Sequence, residues 1–166
     1  MAQPDSPLRR LARGRMYAFR VSRAEFKFFH RLRVRWAETD LQGIVFNGHY
    51  LTYADVAITE YWRAIGFPYP SSIERLGVDW LVVKATLEYR APARYDDEID
   101  VGVRVGRIGN SSVQFLLEMR CGEHRLINGE IIYVTVNPQT HEPLRVPDAL
   151  REAIDDLEKT TQPPQI

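Results

Sequence analysis

Cysteine is nearly missing from this chain of 166 residues: Cys121 is the only one. No disulfide can therefore close within the chain and no cysteine cluster can hold a metal, a composition that fits a reducing compartment and leads us to expect a cytoplasmic protein. Long apolar runs are missing too. None reaches the ~18 residues that a membrane-spanning helix requires, and the first residues lack the apolar core of a signal peptide. Net charge is also absent, since 22 Lys and Arg stand against 22 Asp and Glu. That neutrality hides an asymmetry, because residues 1–35 hold ten basic and two acidic side chains and residues 36–166 hold 12 and 20. An arginine-rich leader suits an anionic partner, a membrane surface or a cleaved presequence. No nucleic-acid-binding motif accompanies it, so no nucleic-acid partner is expected. There is no internal repeat.

What is present is alternation. In "AEFKFFHRLRVRW", residues 24–36, Phe26, Phe28, Leu32, Val34 and Trp36 share one face. Glu25, Lys27, Arg31, Arg33 and Arg35 share the other, which predicts a half-buried strand with its arginines in solvent. Further on, Leu51, Ala54, Ile58, Trp62 and Ile65 recur at three- and four-residue spacing, and Gly66 and Pro68 stand where a helix should stop. One helix of about five turns is expected there. Tyr50, Ala57 and Tyr61 add a second apolar flank, so this helix should be covered on most of its circumference.

"SSIERLG" offers a serine cap and a closing glycine for a short helix. Four strand-like runs follow, around residues 80–89, 98–105, 113–119 and 129–137, with "GNSS" and "CGEH" as hairpin turns. The last run is apolar on both faces and should be central. A final short helix is expected over residues 148–159. The hydrophobic content of 45% is enough for one core. Residues 24–160 form the expected domain, residues 1–23 a basic extension that is a candidate flexible segment, and residues 161–166 a disordered tail. An antiparallel sheet with one apolar helix must wrap that helix, an α+β arrangement of five strands. Its edge strand is most simply covered by a second copy, giving at least a dimer.

The stretch "ETDLQGIVFNGHY", residues 38–50, separates the first strand from the long helix. Asp40 follows the strand, Gly43 permits a backbone turn, and Asn47 and Gly48 stand at the helix entrance, where unpaired N–H groups collect. A carboxylate close to such N–H groups suits hydrolysis of an activated acyl group, because one activates water or attacks the carbonyl and the others hold the oxyanion. An Asp beside a Gly is also an ordinary turn former.

The segment "VRWAETDLQGIVFNGHYLTYADVA" resembles the opening motif of the 4-hydroxybenzoyl-CoA thioesterase family, D-x-x-G-[IVH]-V followed by a helical Tyr. "VVKATLEYRAPARYDDEIDVGVRVGRIGNSSVQFLLEM" is similar to its second block. The resemblance spans about residues 26–137. It implies a hotdog fold, a long helix wrapped by a five-stranded antiparallel sheet, joined in homodimers or homotetramers with each active site between subunits. It also implies a thioester hydrolase that needs no cofactor and acts on acyl-CoA or an acyl carrier protein thioester. Asp40 is then the catalytic carboxylate, as general base or nucleophile, and the backbone N–H groups of Asn47 and Gly48 form the oxyanion site. Asn47, Gly48 and His49 stand where aromatic-binding members tend to carry Tyr-Pro-Asn, and "YDDE" stands where Gly-Asp is common, so the pocket need not match theirs.

Each of the other candidates has a plainer reading beside the functional one. His49 could be a second acid or base, or a first-turn surface residue. Arg90 and Arg94 flank "APA" and could meet the phosphates of coenzyme A, or be solvated strand-end arginines. Ser111 and Ser112 read as hairpin residues. His49, Asp55 and Glu60 share no clean helical face, so no metal is expected. The alternative to an enzyme is a non-catalytic acyl-thioester-binding module docked through its basic leader.

Overall fold

The computed structural model describes residues 22–159. The expected extension and tail therefore lie largely outside the described residues. A 3-10 turn at Arg23–Glu25 leads into β1 (Phe28–Arg33). A second turn at Trp36–Glu38 and a loop precede α1 (His49–Ala64). Then come α2 (Ser71–Leu76), β2 (Asp79–Tyr89), β3 (Glu98–Ile108), β4 (Ser112–Cys121), β5 (His124–Val136) and α3 (Asp148–Lys159). The five strands form one sheet in the order β1-β3-β4-β5-β2, every neighbouring pair antiparallel. β5 is internal, as its two apolar faces require.

The helix lies across the sheet because its apolar residues sit on one broad arc. Tyr50, Tyr53, Ala54, Ala57, Ile58, Tyr61 and Trp62 are buried, a three- and four-residue spacing that keeps them on one side of a 3.6-residue turn. They meet the inward residues of the sheet, among them Val101 and Val103 of β3, Phe115 and Leu117 of β4, and Ile127 and Ile131 of β5. Tyr61 packs edge-on against Phe28 and Phe115 at 5.5 Å, and Trp62 stacks on Trp80 at 5.1 Å. Each such fully buried apolar side chain contributes roughly 1.5–3 kcal/mol relative to its exposed state.

Four expectations are corrected. The first strand is six residues long rather than thirteen, since the chain turns at both ends of the alternating run. Trp36 consequently leaves the apolar face, lying 75% exposed and edge-on to Tyr95 at 5.3 Å. Leu51 is 43% exposed, because α1 is covered on its sheet side only and Leu51, Asp55 and Val56 face outwards. No serine caps α2; Pro70 holds the cap position, and the Ser71 hydroxyl donates instead to the Pro68 carbonyl. The arginines of β1 are exposed yet not merely solvated. Arg31 and Arg33 face Asp100 and Glu98 across the ladder and pair with them at 2.7 and 2.6 Å. Ser111 and Ser112 lie at the β3–β4 hairpin, where Thr135 donates its N–H to the Ser111 carbonyl.

Candidate active site

The segment from Glu38 to Phe46 is a miniature hairpin built on backbone bonds. Phe46 N–H donates to the Glu38 carbonyl, Asp40 N–H to Ile44, and Gly43 N–H back to Asp40, all at 2.9 Å. The reversal needs Gly43 at a φ of 71°, a left-handed conformation that costs a residue with a Cβ roughly 1–2 kcal/mol. Asp40 Oδ1 accepts the Gln42 N–H at 2.8 Å, so one carboxylate oxygen belongs to the turn. Oδ2 has no hydrogen-bond partner among the described residues.

This hairpin is docked onto the corner between β2 and β3. Val45 N–H donates to the Ala93 carbonyl, and Ala93 N–H donates to the Tyr50 hydroxyl, both at 2.9 Å. Burial holds the Tyr50 phenol above its ordinary pKa, so it stays protonated near neutrality. Tyr53 donates to Glu38 Oε2 at 2.7 Å, tying the far side of the loop to α1. Tyr89 donates to the Asn47 carbonyl at 3.0 Å.

Between these parts lies a cleft of about 350 Å³. Asp40, Gln42, Ile44, Asn47, Tyr50, Tyr89, Arg90 and Pro92 are among its lining residues. Asp40, Asn47 and Arg90 thus line one cleft. Gly48 follows Asn47 at the mouth of α1, and neither the Asn47 nor the Gly48 N–H has an acceptor among the described residues. Gly48 has no capping side chain, which leaves these donors and the positive end of the helix dipole open.

His49 and Arg94 do not line the cleft. The His49 ring is half-buried against Phe46 at 6.1 Å, while Arg94 Nη1 reaches the Gly43 carbonyl at 3.4 Å. Arg90 pairs with Glu88 at 2.5 Å. Among the described residues no set of three His, Cys, Asp or Glu side chains is grouped as a metal site.

A larger open groove of about 500 Å³ runs along β1 beside Tyr95. Of its three arginines, Arg31 and Arg33 are held by carboxylates of the β3 region, and it does not contain Asp40. Glu38, Tyr50 and Tyr89 were not singled out as site residues from the sequence. Tyr89 stands 42 positions from Asn47, and no periodicity joins them.

A helix wrapped by an antiparallel sheet, with a carboxylate loop at the helix mouth, is the hotdog arrangement, and comparison with known proteins defines it further. The profile described as "Thioesterase superfamily" matches residues 42–128, starting two residues after Asp40. The chain belongs to that superfamily, and it is a thioester hydrolase. It is 29% identical over 120 residues to acyl-CoA thioester hydrolase YbgC of Escherichia coli O6:H1, an alignment covering 72% of this chain and 89% of the relative. A crystal structure of a Pseudomonas aeruginosa protein is 30% identical with a TM-score of 0.72, covering 83% of this chain and 96% of that one. A Thermus thermophilus thioesterase, solved with coenzyme A and Zn, is 27% identical with a TM-score of 0.71, covering 82% and 97%.

Proposed function

We propose that the protein cleaves acyl-CoA thioesters to the free carboxylic acid and coenzyme A, with Asp40 as the reacting carboxylate and the N–H groups of Asn47 and Gly48 as the oxyanion site. The observation that carries this reading is that Asp40, with one carboxylate oxygen unpartnered among the described residues, lines the same cleft as Asn47, whose N–H has no acceptor among them. As general base, Asp40 takes a proton from water while the water oxygen bonds to the carbonyl carbon. The carbonyl electron pair moves onto oxygen, where the N–H groups hold it. Its return breaks the C–S bond, and the departing thiolate takes the proton from Asp40. As nucleophile, Asp40 bonds to the same carbon and expels the thiolate, and water then hydrolyses the anhydride. Both routes use the same donors.

Arg90 and Arg94, flanking residues 91–93, are the cations proposed to meet the phosphates of coenzyme A, and His49 is a further proposed contact at the helix mouth. A homodimer that continues the sheet through β2 is part of the proposal. Its support is an edge strand bearing the exposed Leu81, Val82 and Val83, the last 61% exposed, together with exposed Leu51 and Val56 on α1. Sedimentation should give a dimer for the wild type and a monomer for Val83→Lys; a wild-type monomer removes this part. Action in the cytoplasm is proposed on the lone Cys121. Among the described residues no helix is long and apolar enough to cross a membrane.

The catalytic assignment is tested by steady-state hydrolysis of a chain-length series of acyl-CoAs. Asp40→Asn should lower kcat by about 100-fold or more on whichever substrates the wild type cleaves. Equal activity of the variant would remove Asp40 from the chemistry, and no hydrolysis of any acyl-CoA would favour the binding-module reading.

A further inference from the structure

Tyr89 is a residue for which the proposed reaction has no role, although its phenol lies on the cleft and its hydroxyl makes one specific bond. That bond is to the backbone, from Tyr89 Oη to the Asn47 carbonyl at 3.0 Å. The acceptor belongs to the peptide joining Asn47 to Gly48. A peptide unit is planar, so fixing its carbonyl oxygen also fixes the direction of the Gly48 N–H. It restricts ψ of Asn47 as well, and with it the relation between the Asn47 N–H and the first turn of α1.

The hydroxyl has two supports, on a residue that is 52% exposed. Tyr89 is the last residue of β2, paired with Ile127 of β5. Its ring packs edge-on against Tyr50 at 5.7 Å. Tyr50 is 2% exposed and accepts the Ala93 N–H, so the support for Tyr89 is anchored in the core and in the corner that carries the Asp40 loop. Burial raises the Tyr89 phenol above its ordinary pKa and keeps it a donor at neutral pH. Opposite this bond, Gly48 has no side-chain cap. Among the described residues, the bond from Tyr89 is the side-chain hydrogen bond made to this peptide.

We infer that Tyr89 is a positioning residue for thioester hydrolysis, whose hydroxyl holds the Asn47–Gly48 peptide so that the N–H groups at the mouth of α1 are preorganised for the oxyanion. The inference rests on the proposed oxyanion role of Asn47 and Gly48. Donors fixed before the reaction stabilise developing charge without reorganising, whereas a peptide free to rock must be reordered at each turnover. The loss is then expected in kcat, since ground-state binding of the acyl-CoA does not depend on that order.

Tyr89→Phe keeps the ring against Tyr50 and removes the hydroxyl alone. On the best acyl-CoA substrate it should lower kcat by about tenfold and leave KM within about twofold. Asn47→Pro deletes the N–H at the second position of the Phe46–His49 turn, where proline is tolerated, and Gly48→Pro deletes the next one while restricting Asn47; both test the oxyanion role without Tyr89. At least one should lose about 100-fold in kcat. Adding Tyr89→Phe to that variant should then cost less than about twofold, because the hydroxyl has no donor left to position. Unfolding midpoints check that each variant is folded.

If a proline variant loses turnover and Tyr89→Phe keeps wild-type kcat, or raises KM instead, the inference fails and the oxyanion reading survives. If both proline variants turn over as the wild type does, the oxyanion reading fails and the role of Tyr89 falls with it. Full additivity in the double variant would also overturn the inference, reducing the hydroxyl to a structural contact.

Discussion

At the entrance of α1 the polar groups are held but not used up. Asp40 spends one oxygen on its own turn, the Asn47 and Gly48 N–H groups have no acceptor among the described residues, and the loop is exposed around them. At the far end of the same helix, Tyr61 is fully buried and donates to Glu158 Oε1 at 2.9 Å, and that oxygen also accepts the Val105 N–H at 2.7 Å. There a carboxylate locks α3 onto α1 and β3. Both ends place a carboxylate near tyrosines of one helix, so residue type does not separate them. What separates them is what the bonded oxygen holds and whether the residue borders a cleft. Glu158 Oε1 ties two distant elements together through two donors, whereas Asp40 bonds only its own turn and lines the cleft, which leaves it available to chemistry.

Predictions that break or sharpen this contrast follow in order of expected size. Asp40→Asn should abolish most turnover, the ~100-fold loss given above, while moving the unfolding midpoint little, since the Asn side-chain oxygen can still accept the Gln42 N–H. An equal loss of stability would place Asp40 with Glu158 instead. Next, Gly43→Ala adds a Cβ at a φ of 71°, with only Arg94 Nη1 nearby at 3.9 Å. The penalty is conformational rather than steric, about 1–2 kcal/mol, and reshaping of the Asp40 turn should cost about tenfold or more in kcat. Wild-type kinetics would mean that the turn does not set the geometry of the carboxylate.

The smallest effect is expected for Glu158→Gln, at the other end of the helix. Burial raises the pKa of Glu158, outweighing the opposing bonds from Val105 and Tyr61 and the charges of Arg104 and Lys27. A folded-state value above the unfolded one means that its contribution to stability is present in acid and is lost as pH rises through the raised value. From the ordinary carboxylate value of 4.5 towards neutrality, the wild type should therefore lose stability that the glutamine variant keeps. Glu158→Gln should show a flatter pH dependence of its unfolding midpoint and near wild-type kcat. An unchanged pH dependence, or a kcat loss like that of Asp40→Asn, would contradict it.

Much of the fold was legible in local pattern. Alternation in β3 and β4 and the spacing of Ala54, Ile58 and Trp62 followed directly from which side of a strand or helix meets the core. Where the pattern misled, a contact distant in sequence intervened. Trp36 continues the alternation of β1, yet the chain turns there and the ring finds Tyr95. Leu51 continues the helical stripe but lies beyond the arc that the sheet covers. The candidate site was legible to the extent that it is one loop: Asp40, Gly43 and Asn47 fall within a short stretch whose turn chemistry is local. Its supports Tyr89 and Ala93 were not, because they come from the end of β2 and the corner that follows it.

By itself the sequence determined the element types, the Asp40 turn and the helix mouth that follows it, since these depend on backbone preferences and on bonds between neighbours in the chain. Only the tertiary structure decided that β1 pairs with β3 and carries its arginines to Asp100 and Glu98, and that Tyr89 of β2 meets Asn47. Those contacts join residues tens of positions apart. They are selected by burial of the whole sheet against α1, a collective term that no local window contains.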